Sequence, residues 1–307
     1  MKFRPKTFYN LFSRGSALES SYIGALMSIF IFGTYMTPLK KWPKFSSWAF
    51  LSMMTWGVLI SALVVAFVTG TFNLSPVGFF CGLWWVIGGT FCFWAVKAEA
   101  DLAGAGVRSM GMSILASFLS GVLLFHEKSS FALSIPAIIC FMVGLSRLSP
   151  SHGGSIFKNW RSFLGGFAFG TYLIPFKLAT AAGLELTDVE FMCPFSIGIF
   201  FGSQLLIGIL QIRRHKFYWY PLAPSVVSVI AGFLWMAGMH GCFWAIDPEG
   251  ALGYAVGYPL TQLNLLVNLG WGVLVFGEYK TAKERVKLLL ATFIILAGAV
   301  LLTLSKG

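Results

Sequence analysis

Charge is what this sequence has least of. Only 11% of its 307 residues are Asp, Glu, Lys or Arg, while 57% are hydrophobic and the mean hydropathy is +0.79. A soluble domain carries about 25% charged residues, so an ordinary water-soluble enzyme is excluded. A disordered chain, rich in charge and poor in apolar residues, is excluded too. Acidic residues are the scarcer kind: 11 Asp and Glu stand against 22 Lys and Arg. None of them falls in the middle of an apolar stretch, which argues against proton carriage by a buried carboxylate. Cysteine is sparse, odd in number at five, and never spaced as CxxC, so neither a disulfide framework nor a zinc site is expected. No Walker A loop, HExxH or GxSxG occurs. ATP-driven pumping is therefore not supported, the chain reads as no enzyme, and neither a cofactor nor a metal is expected.

Apolar length is what the sequence has. Ten segments can be read, at approximately 20–39, 47–69, 76–96, 102–125, 130–147, 160–182, 191–212, 222–246, 250–276 and 288–305. A helical span needs about 20 mostly apolar residues. Ten spans use roughly 200 residues, leaving too few for a second soluble domain. The lengths favour helices, since barrel strands alternate apolar and polar residues over about ten positions. The basic residues gather between segments: Lys40, Lys41 and Lys44; Arg213, Arg214 and Lys216; Lys280, Lys283, Arg285 and Lys287. That is juxtamembrane anchoring, and it makes the lipid bilayer, not nucleic acid, the partner of the net charge of +11.

The chain repeats itself. Phe32-Gly33-Thr34-Tyr35-x-x-Pro38-x-Lys40 recurs as Phe169-Gly170-Thr171-Tyr172-x-x-Pro175-x-Lys177, offset by 137. Trp85-x-x-Gly88-x-x-x-Cys92-Phe93-Trp94-Ala95 recurs 150 residues later, from Trp235 to Ala245. Phe125-His126-Glu127 recurs as Phe276-Gly277-Glu278, offset by 151. The first segment belongs to this repeat, so it is a span and not a cleaved signal peptide. Residues 1–19 then form a basic tail, 20–150 a first five-helix repeat and 151–307 a second. Five is odd, so the second copy enters the membrane from the opposite side. The expected fold is all-α, with ten transmembrane helices as two inverted five-helix repeats and both termini on one side. Two inverted halves can exchange roles, which is the plan of a secondary transporter with its site near the midplane.

Candidate site residues follow from polarity at depth. In the third and eighth spans Trp85 and Trp235 sit among small residues, suiting either close helix packing or a stacking plate for a ligand. His240 is the only titratable group in its span, either hydrogen-bonded to backbone or coupled to protons with help from Asp247 or Glu249. In the ninth span Tyr254, Tyr258, Thr261 and Asn268 fall within about 80° on a helical wheel, flanked by Asn264 and Gln262. Unpaired amides cost several kcal/mol in hydrocarbon. This arc suits an uncharged, hydroxyl-rich solute, although amides can also pair across helices. Arg108 can snorkel to an interface or pair with Glu99 or Asp101. Lys40 and Lys177 close the repeated motif, either as snorkelling ends of bent helices or as gates; Glu127 and Glu278 read as interfacial anchors.

These repeats resemble the drug/metabolite transporter superfamily, and within it the glucose/ribose porter branch that includes transmembrane protein 144-like proteins, beside the L-rhamnose–proton symporters. The resemblance rests on Gly33-x-x-x-Pro38-x-Lys40-Lys41, the Gly- and Trp-rich third span, and the stretch from Tyr258-Pro259-Leu260-Thr261-Gln262-Leu263 through Gly270-Trp271-Gly272-Val273 to Glu278. It implies a carrier of a monosaccharide in the cytoplasmic (inner or plasma) membrane. A proton as co-substrate and a homodimer are both compatible with it. The alternatives are an exchanger or exporter of a nucleotide-sugar, amino acid or drug, and, from another class, an intramembrane enzyme or sensor.

Overall fold

The computed structural model describes residues 17–99, 102–127, 129–147, 160–184, 186–215, 217–218, 220–246 and 252–305. Among them the protein is all helical. Among the described residues seven helices are long and apolar enough to cross a membrane, including Ser20–Lys41, Pro76–Ala98 and Leu222–Ile246. The chain is an integral, multi-pass membrane protein.

The helices run α1 Ala17–Thr34, α2 Thr37–Lys41, α3 Ser47–Thr69, α4 Pro76–Glu99, α5 Leu102–Leu123, α6 Phe131–Arg147, α7 Trp160–Thr171, α8 Ile174–Ala181, α9 Asp188–Arg214, α10 Leu222–Ile246, α11 Gly253–Thr261, α12 Asn264–Gly270 and α13 Ala282–Leu304. A π-helical turn, Trp271–Val275, extends α12. Two of the ten expected segments are broken rods in the middle of their length. The sixth divides into α7 and α8 at Tyr172–Leu173, and the ninth into α11, α12 and the π turn. The first is also broken, at Tyr35–Met36. In both copies of the repeated motif the proline falls in the first turn of the following short helix. A proline there loses no intrahelical bond. It starts a new helix instead of bending one.

Local signals set several ends. Thr187 with Glu190, and Thr281 with Glu284, form capping boxes that open α9 and α13. Gly70, with φ 66°, closes α3 in the left-handed region.

The packing is inside-out relative to a soluble protein. Large apolar side chains such as Phe67, Leu222, Leu274 and Phe293 point outward, while buried serines such as Ser28, Ser109 and Ser196 lie within. Helix α5 is central: 83% of its most apolar stretch is buried, against 33% for α9 and α13. It packs on α7, α11 and α12. Helix α4 packs on α9 and α7, α10 on α3 and α1, α12 on α1, α3 on α9, and α6 on α13. Lipid tails are as apolar as the helices, so close van der Waals approach must hold these crossings. Glycine makes it possible. A methyl group at Gly57 would overlap the Val229 carbonyl where α3 meets α10, and one at Gly198 would overlap the Phe79 carbonyl where α9 meets α4.

Candidate functional site

The helix breaks converge on a cavity of about 30 Å³. Phe32 and Tyr35 reach it from the end of α1, and Phe169 and Tyr172 from the end of α7. Trp85 comes from α4, Trp235 from α10 and Met110 from α5; Tyr258, Gln262 and Asn264 come from the break between α11 and α12. None of these ten side chains is charged.

Four rings form a continuous aromatic row. Trp85 meets Trp235 at 4.8 Å between centroids, inclined by 60°. Trp85 also lies 5.6 Å from Phe169, and Trp235 6.0 Å from Phe32. Each phenylalanine rests on a glycine one turn past the tryptophan it meets. A methyl group at Gly88 would strike Phe169, and one at Gly238 would strike Phe32. Edge-to-face and tilted rings at these separations attract beyond the area they bury.

The polar side comes from α11 and α12. Tyr258 donates its hydroxyl hydrogen to the Phe169 carbonyl, and Tyr254 donates to the Gly170 carbonyl at 3.0 Å. These tyrosines lie 5.3 Å apart with rings stacked at 29°. Their hydroxyls are thereby committed to the backbone where α7 ends. Thr261 donates to the Tyr258 carbonyl at 2.7 Å and accepts from Gln262 Nε2 at 2.9 Å. Asn264 Oδ1, and both Nδ2 and Oδ1 of Asn268, are buried and have no hydrogen-bond partner among the described residues. Nearly all buried polar atoms are paired, and of these three amide atoms Asn264 Oδ1 is on a residue that lines the cavity, where a further partner would satisfy it.

The cavity thus gathers Trp85, Trp235, Tyr258, Gln262 and Asn264, five of the nine residues singled out from polarity. The other four lie outside its lining. Tyr254 and Thr261 stand behind it in the hydrogen bonds just described. Asn268 packs its amide close to Gly106 of α5. His240 lies on α10, half-buried, and the carboxylate close enough to act on it is Asp188 in the first turn of α9. Asp247 and Glu249, expected beside it, fall outside the described residues, as do Asp101 and the side chain of Glu99, the partners expected for Arg108. Arg108 is buried near the start of α5. Lys40 Nζ lies 2.8 Å from Glu278 Oε1, and Lys177 sits over the Tyr254 ring at 5.8 Å. Phe32, Tyr35, Met110, Phe169 and Tyr172 line the cavity without having been singled out. Four of them belong to the repeated FGTY motif, whose recurrence was the available signal. Met110 carried none.

Among the described residues no three His, Cys, Asp or Glu side chains come together as a metal ion would require. The five cysteines are free.

A family profile described as "Sugar transport protein" matches residues 23–305. The chain belongs to the sugar transport protein family. Membership makes it a sugar transporter and not an enzyme. Similar members include the "Putative sugar uptake protein YxfA" of Lactococcus lactis subsp. lactis (strain IL1403), 27% identical over 83% of this chain and 88% of that protein. The "Probable glucose uptake protein GlcU" of Bacillus cereus (strain ATCC 10987 / NRS 248) is 26% identical, over 82% of this chain and 88% of that one. A solved structure described as "Crystal structure of protein" superposes with a TM-score of 0.63 at 17% identity, covering 94% of this chain and 99% of its own. It shares the fold.

Proposed function

We propose that this sugar transporter carries a neutral monosaccharide, glucose being the first candidate, by alternating access through the aromatic cavity. The observation that carries the reading is the cavity's composition. It offers aromatic faces for the apolar faces of a sugar ring, amides for its hydroxyls, and no charge in its lining. A nucleotide-sugar or an amino acid would need a charged partner there. At about 30 Å³ the cavity has room for water-sized guests only. Carriage on this reading separates Trp85 from Trp235.

The transporter is further read as ten spans in two inverted repeats, 20–150 and 151–307, behind a basic tail of 1–19. The broken rods α1–α2, α7–α8 and α11–α12 count as one span each, and α6 as another. The helix pairings support this reading, because exchanging the halves turns the set of pairs into itself. The α4·α9 crossing becomes α10·α3, α10·α1 becomes α4·α7, and α5·α7 becomes α12·α1. The contact of Phe169 with Gly88 likewise becomes that of Phe32 with Gly238. The amides do not repeat. Gln262 and Asn264 correspond, at the offset of 151, to Gly111 and Ser113. On this reading the second half alone orients the sugar, while both halves supply its aromatic walls.

For energy coupling the proposal is uniport or exchange, or weak proton coupling through His240 with Asp188 as its neighbour. The membrane proposed is the cytoplasmic or plasma membrane; a homodimer is compatible with the exposed apolar faces. The test is uptake of a sugar panel by proteoliposomes, with and without an imposed proton gradient. Saturable uptake of a monosaccharide is expected, lost in Asn264→Leu and Gln262→Leu while both variants stay monodisperse. Normal transport by both variants refutes this site.

A further inference from the structure

Outside the cavity the structure holds a second pair of matched sites, one at each end of α5. At its N-terminus, Glu278 accepts hydrogen bonds from the Leu102 and Ala103 amides, at 2.9 Å to Oε1 and 3.0 Å to Oε2. The same carboxylate takes the ion pair with Lys40 of α2. It is nearly enclosed, its side chain only 7% exposed. One acidic group thus joins three pieces of chain: the short helix beyond the first break, the start of α5, and the turn after the π helix. The first four amides of a helix have no intrahelical acceptor and carry partial positive charge. A carboxylate there holds firmly, more so beside a lysine.

Just past the other end of α5, roughly 33 Å away at 1.5 Å per residue, Glu127 Oε1 accepts from the Tyr254 amide at the start of α11, at 3.2 Å. Lys177 of α8, the short helix beyond the other break, lies over the Tyr254 ring. The two carboxylates are delivered by turns of the same shape. Phe125 N bonds to Ser120 O and Glu127 N to Gly121 O; Phe276 N bonds to Trp271 O and Glu278 N to Gly272 O. His126, with φ 51°, and Gly277, with φ 61°, occupy the same left-handed corner. A methyl group at Gly272 would overlap the Glu278 carboxylate and the Ala103 methyl, so one added there would push the carboxylate off the α5 amides.

We infer that Glu278 and Glu127 are twin latches that shut the cavity at opposite ends, and that transport releases them in alternation. The inference rests on the carrier reading above and extends it. The structure then holds the cavity with both latches closed, and its contraction onto Trp85 and Trp235 is the packing of that closed state. Lys40 acts through the Glu278 carboxylate as a positioning residue, and Lys177 through the Tyr254 segment that Glu127 holds. Opening either end frees a short helix, α2 or α8, already separated from its rod by a break. An interfacial anchor would need no contact with the start of another helix; these carboxylates make one at each end.

Two native cysteines report on the two ends separately. Cys92 lies 3.9 Å from Met36 at the α1–α2 break, on the Lys40 side. Cys242 lies close to Tyr172 at the α7–α8 break, on the Lys177 side. Both are fully buried. The test alkylates wild-type protein, Glu278→Gln and Glu127→Gln in proteoliposomes with a membrane-impermeant maleimide, and locates the adduct by mass spectrometry. Glu278→Gln should raise Cys92 labelling several-fold and leave Cys242 protected; Glu127→Gln should do the reverse. Lys40→Gln and Lys177→Gln should follow their carboxylates, and they keep the test alive if a glutamate variant fails to fold. The inference is overturned if both cysteines stay protected throughout, or if each variant exposes both alike. No sugar is needed, so an error in the proposed substrate leaves this result standing.

Discussion

Individual side chains divide into those that face the cavity and those that hold its wall. Tyr254 and Tyr258 belong to the second group by their hydroxyls, although Tyr258 also presents its ring. A single neutral hydrogen bond contributes about 0.5–1.5 kcal/mol net. Tyr258→Phe should therefore lower the melting temperature by a few degrees while the apparent affinity for sugar stays within about threefold, a difference under 1 kcal/mol. A direct hydroxyl contact with sugar would show instead as a larger loss of affinity at unchanged stability. The sequence made this distinction hard to see. Helical spacing put Tyr254, Tyr258, Thr261 and Asn268 on one arc, but the rod breaks at Gln262–Leu263, and periodicity carried across a break no longer tells which way a side chain points. Of that arc only Tyr258 reaches the cavity, and it is joined there by Gln262 and Asn264 from the arc's flanks.

Helices and their crossings were legible where apolar length alone decides them. The second, third, fourth, seventh and eighth segments correspond to α3, α4, α5, α9 and α10 with ends shifted by a few residues. The breaks were not legible. A proline near a span end suggests a bend, and only the backbone shows that it opens a new helix at Thr37 and Ile174. The π turn at Trp271–Val275 has no signal in residue type either, since it arises from how the chain reaches Glu278. The glycine crossings, by contrast, follow from the chemistry of membrane packing. Gly57→Leu and Gly198→Leu should each destabilise the protein by about 1–3 kcal/mol, the usual penalty of overpacking. Thermal unfolding in detergent measures this. Gly208, which has open space around it, is the control: Gly208→Leu should leave the melting temperature within a degree or two of wild type, a surface-type change under about 0.5 kcal/mol.

At the scale of the whole molecule, the internal repeat was already readable in the sequence, because Phe32–Lys40 and Phe169–Lys177 are identical at six of the motif's nine positions. What it could not carry was the cross-pairing, in which the phenylalanine of one copy rests on the glycine of the other. That contact depends on which helices cross, and helix crossings are set by packing and not by local pattern. On the proposed reading sugar passes through this cross-paired centre, one cavity reached from one side of the membrane at a time. Counterflow measures that claim most directly. Proteoliposomes preloaded with unlabelled glucose should take up labelled glucose faster than empty vesicles, with saturation, and Asn264→Leu should abolish the stimulation. Uptake that ignores the sugar inside the vesicles and rises linearly with concentration would contradict alternating access through this cavity.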